Sequence, residues 1–97
     1  MADVKDWRKY AYTVAELIVK LKAFPQDYVV ILEKDAEGNG YSPLSSVTTA
    51  YYEPSSTWSG ETKDSKEDFD EGNDDPDYTY DEYIHGCAPA VILGPVN

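Results

Sequence analysis

The alternation of apolar and polar residues near the start of the chain predicts an α-helix. Within residues 14–23, apolar side chains recur at i, i+3, i+4 and i+7, the spacing that forms one stripe along a helix. Thr13 precedes the stripe and Glu16 follows three residues later, which is the pattern of a capping box. Pro25 disfavours helical geometry at the residue before it. The helix is therefore expected to end near Ala23.

Four later segments have the composition of β-strands. Residues 28–34 (YVVILEK) contain four consecutive apolar residues, which predicts a central strand covered on both faces. Residues 45–53 (SSVTTAYYE) alternate, and the glycines and Asn of residues 35–40 (DAEGNG) suit the hairpin loop that precedes them. Residues 78–84 (YTYDEYI) have weaker strand character. The apolar residues 88–96 (APAVILGPV) predict a final strand, expected inside the sheet beside residues 28–34.

Together these elements predict an α+β fold. One N-terminal amphipathic helix is expected to pack on a small, mainly antiparallel sheet of three or four strands, covering one face of it. A chain of 97 residues suits a single domain with one modest core. We therefore expect one domain over residues 1–97, carrying an insert at about residues 54–77 that is rich in Ser, Gly, Asp and Glu.

The negative charge is concentrated in one part of the chain. Residues 61–83, which we call the acidic segment, read ETKDSKEDFDEGNDDPDYTYDEY and contain eleven acidic and two basic residues, a net charge of −9 out of −11 for the whole chain. The remaining residues are close to neutral. Such asymmetry indicates either an interaction surface or a solvated, solubilising loop.

Composition also predicts the compartment and disfavours two classes of partner. The single cysteine, Cys87, cannot form an internal disulfide, and the apolar runs YVVIL and AVIL are far shorter than a membrane span. The first residues lack the apolar run of a signal peptide. We expect a soluble protein of the cytoplasm. Its negative field would repel anionic lipid and nucleic acid, so we expect neither membrane nor direct nucleic-acid binding.

Three groups of residues are candidates for metal or catalytic chemistry. In the acidic segment, Asp68, Asp70, Asp74 and Asp75 could gather a divalent cation through oxygen ligands, but carboxylate density without a rigid frame gives only weak binding. The loop at residues 35–40 has oxygen ligands at the first positions of a calcium-binding loop, but Ser46 stands where the bidentate glutamate is required. His85 and Cys87 would point the same way on a strand, yet they are the only histidine and cysteine, and no further ligands accompany them. We expect no metal site, no cofactor and no enzymatic activity.

Two blocks of sequence carry a resemblance to a known group. The chain contains TVAELIVKLKAFPQDYVVILEKDAEGNGYSPLSSV, followed by the acidic segment and APAVILGP. The elements TVxELI…PxD…V, DxxGNxxxPLxxV and AxVILxP cover about half of the chain. In them it resembles small uncharacterised proteins encoded by tailed bacteriophages. The resemblance implies a phage origin and expression in the cytoplasm of a bacterial host. It implies no activity and no catalytic residues.

The acidic segment could imitate a polyanion only if it is ordered. Fully extended, its residues would span about 75 Å, and its net charges would lie about 8 Å apart. Folded onto a face about 30 Å long, their spacing falls to about 3.3 Å, close to the roughly 3.4 Å per phosphate of a single nucleic-acid strand. The three tyrosines at its C-terminal end, and Tyr51, Tyr52 and Trp58 before its start, could order it and contribute contact area.

The favoured hypothesis is a non-enzymatic phage accessory protein that binds a basic host protein, such as a nucleic-acid-acting or defence enzyme, through an acidic surface flanked by tyrosines. The alternative is a small self-assembling structural or regulatory module that pairs through a strand edge and whose acidic loop only keeps it soluble; a homo-oligomer is compatible with both. The residues predicted to contact the partner are Glu67, Asp68, Asp70, Glu71, Asp74, Asp75, Asp77, Tyr78, Tyr80, Asp81, Glu82 and Tyr83.

Overall fold

The structure is a computed structural model that describes residues 4–96, and these residues form an α+β fold as predicted. The elements are a 3₁₀ helix (Val4–Tyr10), α1 (Val14–Leu21), β1 (Ile31–Glu33), β2 (Tyr41–Pro54), β3 (Gly60–Thr62), α2 (Lys66–Gly72), α3 (Tyr80–Tyr83) and β4 (Ala88–Pro95). The helices are four to eight residues long. None of the helices in the described residues could span a membrane.

Helix α1 begins at the predicted capping box. The backbone N–H of Thr13 donates to Glu16 Oε1 at 2.9 Å, and the backbone N–H of Glu16 donates to Thr13 Oγ1 at 3.2 Å. These hydrogen bonds lower the pKa of Glu16, the largest cause being the backbone N–H of Thr13. At the other end, the side-chain amide of Gln26 donates to the carbonyl of Leu21 at 3.3 Å, satisfying a carbonyl that the helix leaves without a partner.

The first hairpin joins β1 to β2. Ile31 pairs with Pro43 and Glu33 with Tyr41 in antiparallel register. In the connecting loop, the Asp35 carboxylate accepts the backbone N–H groups of residues 37 and 39 at 2.9 and 3.2 Å; that of residue 39 is the largest cause of the lowered pKa of Asp35. Gly38 has a φ of 74°, a conformation that favours glycine. The predicted turn chemistry is confirmed.

The predicted environment of β1 is wrong in two respects. The strand is only three residues long and pairs with β2, whereas β4, which was expected beside it, also pairs with β2. Val29, Val30 and Ile31 expose 82, 45 and 49% of their surface, so neither face of this run is covered as in a central strand. The 14-residue β2 provides the pairing sites for all three of the other strands. An apolar run identifies a strand without identifying its neighbour.

The second half of the chain contains more helix than expected. Residues 78–84 were predicted as a strand, but Tyr80–Tyr83 form α3, and Lys66–Gly72 form α2 within the predicted insert. Thr79 caps α3, its hydroxyl accepting the backbone N–H of Glu82 at 3.2 Å. Tyr80 and Tyr83 both contact the ring of Phe69. Residues three positions apart lie on the same side of a helix but on opposite faces of a strand, so this shared contact requires a helical turn. This contact, which the local strand composition does not reveal, explains the difference.

The chain divides into two compact units, and β2 and β4 contribute residues to both. Residues 4–11 and 49–90 form the acidic unit, which holds the buried apolar side chains of Phe69 and Ala88. Residues 12–48 and 91–96 form the hairpin unit, in which Ser42 is the one buried residue among those described. The apolar stripe of α1 is present but largely exposed, with Val14, Ile18 and Leu21 exposing 56, 46 and 43%.

Candidate acidic interface

The acidic segment is folded around a single buried ring, that of Phe69. This side chain is 9% exposed, and the rings of Tyr78, Tyr80 and Tyr83 surround it at centroid distances of 5.6, 5.5 and 4.8 Å. The first two rings meet Phe69 edge to face and the third is stacked on it, which are the geometries that aromatic pairs favour. Four rings contributed by a 15-residue stretch thus provide a local core for a segment that otherwise consists of polar residues.

Helix α2 places Phe69 in this core because of its cap. Ser65 accepts the backbone N–H of Asp68 at 3.2 Å through its hydroxyl, and its carbonyl accepts the N–H of Phe69 at 2.9 Å. Lys66 pairs with Asp70 one turn later at 2.8 Å. With this start fixed, Phe69 falls on the covered side of the helix, and its acidic neighbours in the sequence point to solvent.

Two tyrosine hydroxyls attach the C-terminal part of the segment to its N-terminal part. Tyr80 donates its O–H to the carbonyl of Asp64 at 2.9 Å, and Tyr83 accepts the N–H of Asp64 at 3.1 Å. These contacts join residues 16 and 19 positions apart in the sequence. Burial is the largest cause of the raised pKa of Tyr80, so its hydroxyl remains a donor over the physiological range.

The turn between α2 and α3 is fixed by side-chain to backbone hydrogen bonds. The amide of Asn73 donates to the carbonyls of Asp75 and Tyr78 at 2.9 and 2.8 Å and accepts the N–H of Asp75 at 3.1 Å. The Asp75 carboxylate in turn accepts the N–H of Asp77 at 2.9 Å. Such local bonds replace the ladder of a helix or sheet. The turn is therefore ordered despite having no apolar residue of its own before Tyr78 except Pro76.

The nine carboxylates predicted to contact a partner are all exposed. They lie on α2, on the turn that follows it, and on α3. Each of the two lysines of the segment is already paired with one carboxylate: Lys66 pairs with Asp70, and Lys63 pairs with Glu53 at 3.0 Å. The hydrogen bond to its carboxylate partner is the largest cause of the raised pKa of each lysine. The outward charge is hence dominated by Glu67, Asp68, Glu71, Asp74, Asp75, Asp77, Asp81 and Glu82.

The spacing of charge on α2 approaches that of a phosphate chain. Four carboxylates and one lysine give this seven-residue helix a net charge of −3. At 1.5 Å per residue it is about 10 Å long, or about 3.5 Å per net charge, compared with about 3.4 Å per phosphate in a single strand. Its first turn is acidic, which suits the helix dipole, but its last turn contains no basic residue. Asp70 and Glu71 therefore lie at the negative end of the helix.

The three predicted contact tyrosines differ in how much surface they offer. Tyr78 is 41% exposed, whereas Tyr80 and Tyr83 are half-buried. The rings of the latter two also contact each other at 5.9 Å, and Tyr51 meets Tyr80 at 6.4 Å. The structure therefore brings all three to the local core and leaves Tyr78 as the one with the most free surface.

The Cys87 thiol is held by Glu53. Its Sγ lies 3.8 Å from Glu53 Oε2, and burial followed by this carboxylate raises its pKa. A protonated thiol is a poor nucleophile. His85 lies exposed in the turn after α3, where Gly86 has a φ of 80°, so the strand geometry that was expected to align it with Cys87 is not formed. Among residues 4–96, no three His, Cys, Asp or Glu side chains are grouped so as to hold a metal ion.

Trp58 is an exposed aromatic residue that the sequence-based set omits. It is 86% exposed at the tip of the β2–β3 hairpin, where its backbone N–H donates to Ser56 Oγ at 3.2 Å. The tip is closed by the N–H groups of Ser55 and Ser56, both donating to the carbonyl of Ser59. The sequence signal for this exposure is that Trp58 is flanked only by Ser, Thr and Gly, because a turn of small polar residues cannot bury a tryptophan ring.

Comparison with known proteins gives no match for this chain, whether among protein-family models, curated proteins or solved structures.

Proposed function

We propose that this protein is a non-enzymatic accessory protein of phage origin that binds a basic protein through the acidic surface of α2, the following turn and α3. The partner we propose is a host protein whose own basic surface grips nucleic acid, such as a defence enzyme. The observation that carries the proposal is the folding of the acidic segment around Phe69. A solubilising loop does not need a core.

Order is what distinguishes a binding surface from a solvated tail. The carboxylates lie on short elements that are held by aromatic packing, by two helix caps and by the hydrogen bonds of Asn73. Binding a partner therefore does not carry the entropy cost of ordering these carboxylates. Fixed charges at a spacing close to that of phosphates can be matched by lysines and arginines that already fit nucleic acid. The same field would speed the encounter with a basic surface.

Like-charge repulsion within the segment also favours a basic partner. The last turn of α2 presents Asp70 and Glu71 to the negative end of the helix dipole, and of the two only Asp70 is paired with a lysine. Cations brought by a partner would relieve this repulsion. Tyr78 and Trp58 are exposed aromatic side chains in the same unit, and such residues often dominate the energy of protein interfaces.

The proposal is tested by capture from a bacterial lysate on the immobilised protein, elution with increasing salt, and measurement of the affinity of the purified partner. We expect elution at moderate salt, and affinity that falls steeply between low and high ionic strength. The variant E67K/E71K/D74K changes three exposed carboxylates that form no hydrogen bond or ion pair with any residue of 4–96. It should bind roughly 100-fold more weakly or worse.

The matched control is D27K/A36K/E37K/T48K, four exposed residues of the hairpin unit. Its two charge reversals and two added lysines change the charge by as much as the three reversals do, so each variant changes the net charge from −11 to −5. The control should keep most of the affinity. Equal losses in the two variants would mean that total charge alone matters, and binding that is unchanged at high salt would contradict an acidic interface.

A further inference from the structure

The hairpin unit presents an apolar sheet face that is open in the described residues. The register pairs Ile31 with Pro43 and Glu33 with Tyr41, so these four residues lie on the same face. Pairing continues to Val30, whose carbonyl accepts the N–H of Leu44 at 2.9 Å. By strand alternation Val29 joins the face on β1 and Val47 joins it on β2.

Strand β4 extends the same face. A Cβ at Gly94 would overlap the hydroxyl of Ser46, and the Ser42 hydroxyl accepts the N–H of Val96 at 2.9 Å. Gly94 therefore shares the face of Ser42 and Ser46, which is the opposite side of β2 from Val47. Val91 and Leu93 alternate with Gly94 and so lie with Val47. The burial pattern agrees, because these two residues are exposed and Ile92 between them is half-buried.

The exposure of this open sheet face is large for an apolar surface. Val29, Ile31, Tyr41, Val47, Val91 and Leu93 expose 82, 49, 62, 64, 44 and 38% of their surface. Taking about 100 Å² for an aliphatic and about 200 Å² for an aromatic side chain, the face exposes on the order of 400 Å². That is comparable to the largest patch of a typical monomer, and such patches often mark an interface.

We propose that this open sheet face is a dimer interface and that its occupant is a second copy of the same chain. Two copies would bury on the order of 800 Å² together through these six side chains, the size of a weak, transient interface. Twisted sheets pack face to face about 10 Å apart. In a two-fold dimer both copies contribute the same surface. The valine and isoleucine side chains of one copy would therefore pack against the apolar side chains of the same face in the other copy.

Charge favours a second copy over a charged partner. Glu33 is the one charged residue on the face within residues 29–33, 41–48 and 91–95, and it lies at the end of the face, opposite Tyr41. The hairpin unit carries a net charge of only −2, whereas residues 1–11 and 49–90 carry −9. A basic partner would be attracted to the acidic unit, and the nearly uncharged open sheet face would add no electrostatic attraction. The residues of the open sheet face belong to the hairpin unit and not to the acidic unit.

The test is sedimentation velocity and light scattering of the purified full-length protein over a wide concentration range. We expect a dimer of twice the 10.9 kDa chain mass that persists or tightens as salt is raised, because apolar burial is not screened and self-repulsion is. V47K should weaken dimerisation by about 100-fold or more, since a two-fold interface contains the change twice. V47T, which keeps the β-branched shape, should weaken it about 10-fold.

The matched control is T48K, the same side chain added at the next residue of β2, on its opposite face. It should dimerise like the wild type. Circular dichroism checks that each variant is folded. If V47K is not folded, the dimerisation of V47T provides the test. A monomer at every concentration would overturn the proposal, as would equal weakening by V47K and T48K or dissociation of the dimer in high salt. None of these outcomes bears on binding by the acidic unit, which is measured separately.

Discussion

Phe69 is the residue on which the shape of the acidic segment depends. Its ring contacts three tyrosine rings, and it is the only large apolar side chain buried in the acidic unit among residues 4–96. Removing it would take away the local core while leaving every charge in place. A substitution here therefore separates the effect of order from the effect of charge.

We predict that F69A destabilises the acidic unit by about 3 kcal/mol, the usual cost of removing a buried phenylalanine ring. Hydrogen exchange of the α2 amides should accelerate, and affinity for the captured partner should fall although the net charge is unchanged. F24A is the matched control, because Phe24 is 59% exposed in the hairpin unit. If F69A binds as tightly as the wild type, an ordered surface is not required.

Helix α1 is the element whose start the sequence defines most completely. Thr13 and Glu16 bond reciprocally, and these bonds hold the pKa of Glu16 below its ordinary value, with the backbone N–H of Thr13 as the largest cause. A carboxyl group whose pKa is lower in the folded chain stabilises the fold when it is ionised. This contribution is present above the ordinary glutamate pKa and is lost as pH falls through the lower, folded value.

We predict that the first turn of α1 loosens as the pH falls below about 4.3, the ordinary pKa of glutamate. NMR chemical shifts of the Thr13 and Glu16 amides, followed between pH 7 and 2, would record the change. E16Q keeps a neutral acceptor and should remove the pH dependence of these two amides. E33Q alters an exposed carboxylate elsewhere in the hairpin unit and should leave the titration intact. A Glu16 titration at or above the ordinary value would contradict the capping geometry.

Strand pairing shows how an element can be predicted without its neighbours. The apolar residues 88–96 predict a final strand, and β4 (Ala88–Pro95) confirms it. Its predicted place beside residues 28–34 was wrong, because it pairs with β2. Composition reports that a segment suits an extended, partly covered backbone. It does not report which strand supplies the hydrogen bonds.

At the scale of the whole molecule, repulsion among carboxylates opposes folding. The chain carries 19 acidic and 8 basic residues. Of the two ion pairs of the acidic segment, Lys66–Asp70 is solvent-exposed on both sides, and in Lys63–Glu53 the lysine is only 23% exposed. Ion pairs at the protein surface contribute little to stability. Salt would weaken both the pairs and the repulsion, but there are many more repulsive interactions than pairs.

We therefore predict that the thermal midpoint rises with salt, by about 5 °C between 0.02 and 0.5 M sodium chloride, roughly the shift given by 1 kcal/mol in a domain of this size. Differential scanning calorimetry at pH 7 would measure it. The variant E67Q/E71Q/D74N, with three fewer charges in the acidic segment, should show a smaller rise. A midpoint that falls with salt would mean that the ion pairs outweigh the repulsion.

The features that could be read from the sequence depend on residues close together in the chain. The capping box of α1, the turn at residues 35–40 and the concentration of charge in residues 61–83 each follow from a few neighbouring side chains. Local hydrogen bonds and backbone preferences are sufficient for them. The same holds for the acidic residues themselves, which composition alone identifies and which the fold leaves exposed.

The remaining features depend on contacts between distant parts of the chain. Tyr83 meets the backbone of Asp64, 19 residues away, and this contact accompanies a helical turn where local composition indicated a strand. The Ser42 hydroxyl meets Val96 across 54 residues, in a pairing that aligns the apolar residues of β4 with those of β2. Local secondary-structure preferences of about 1 kcal/mol yield to packing between distant residues. The packing of aromatic rings therefore decided that the acidic segment is ordered. The pairing of the strands decided which apolar sheet face is left open.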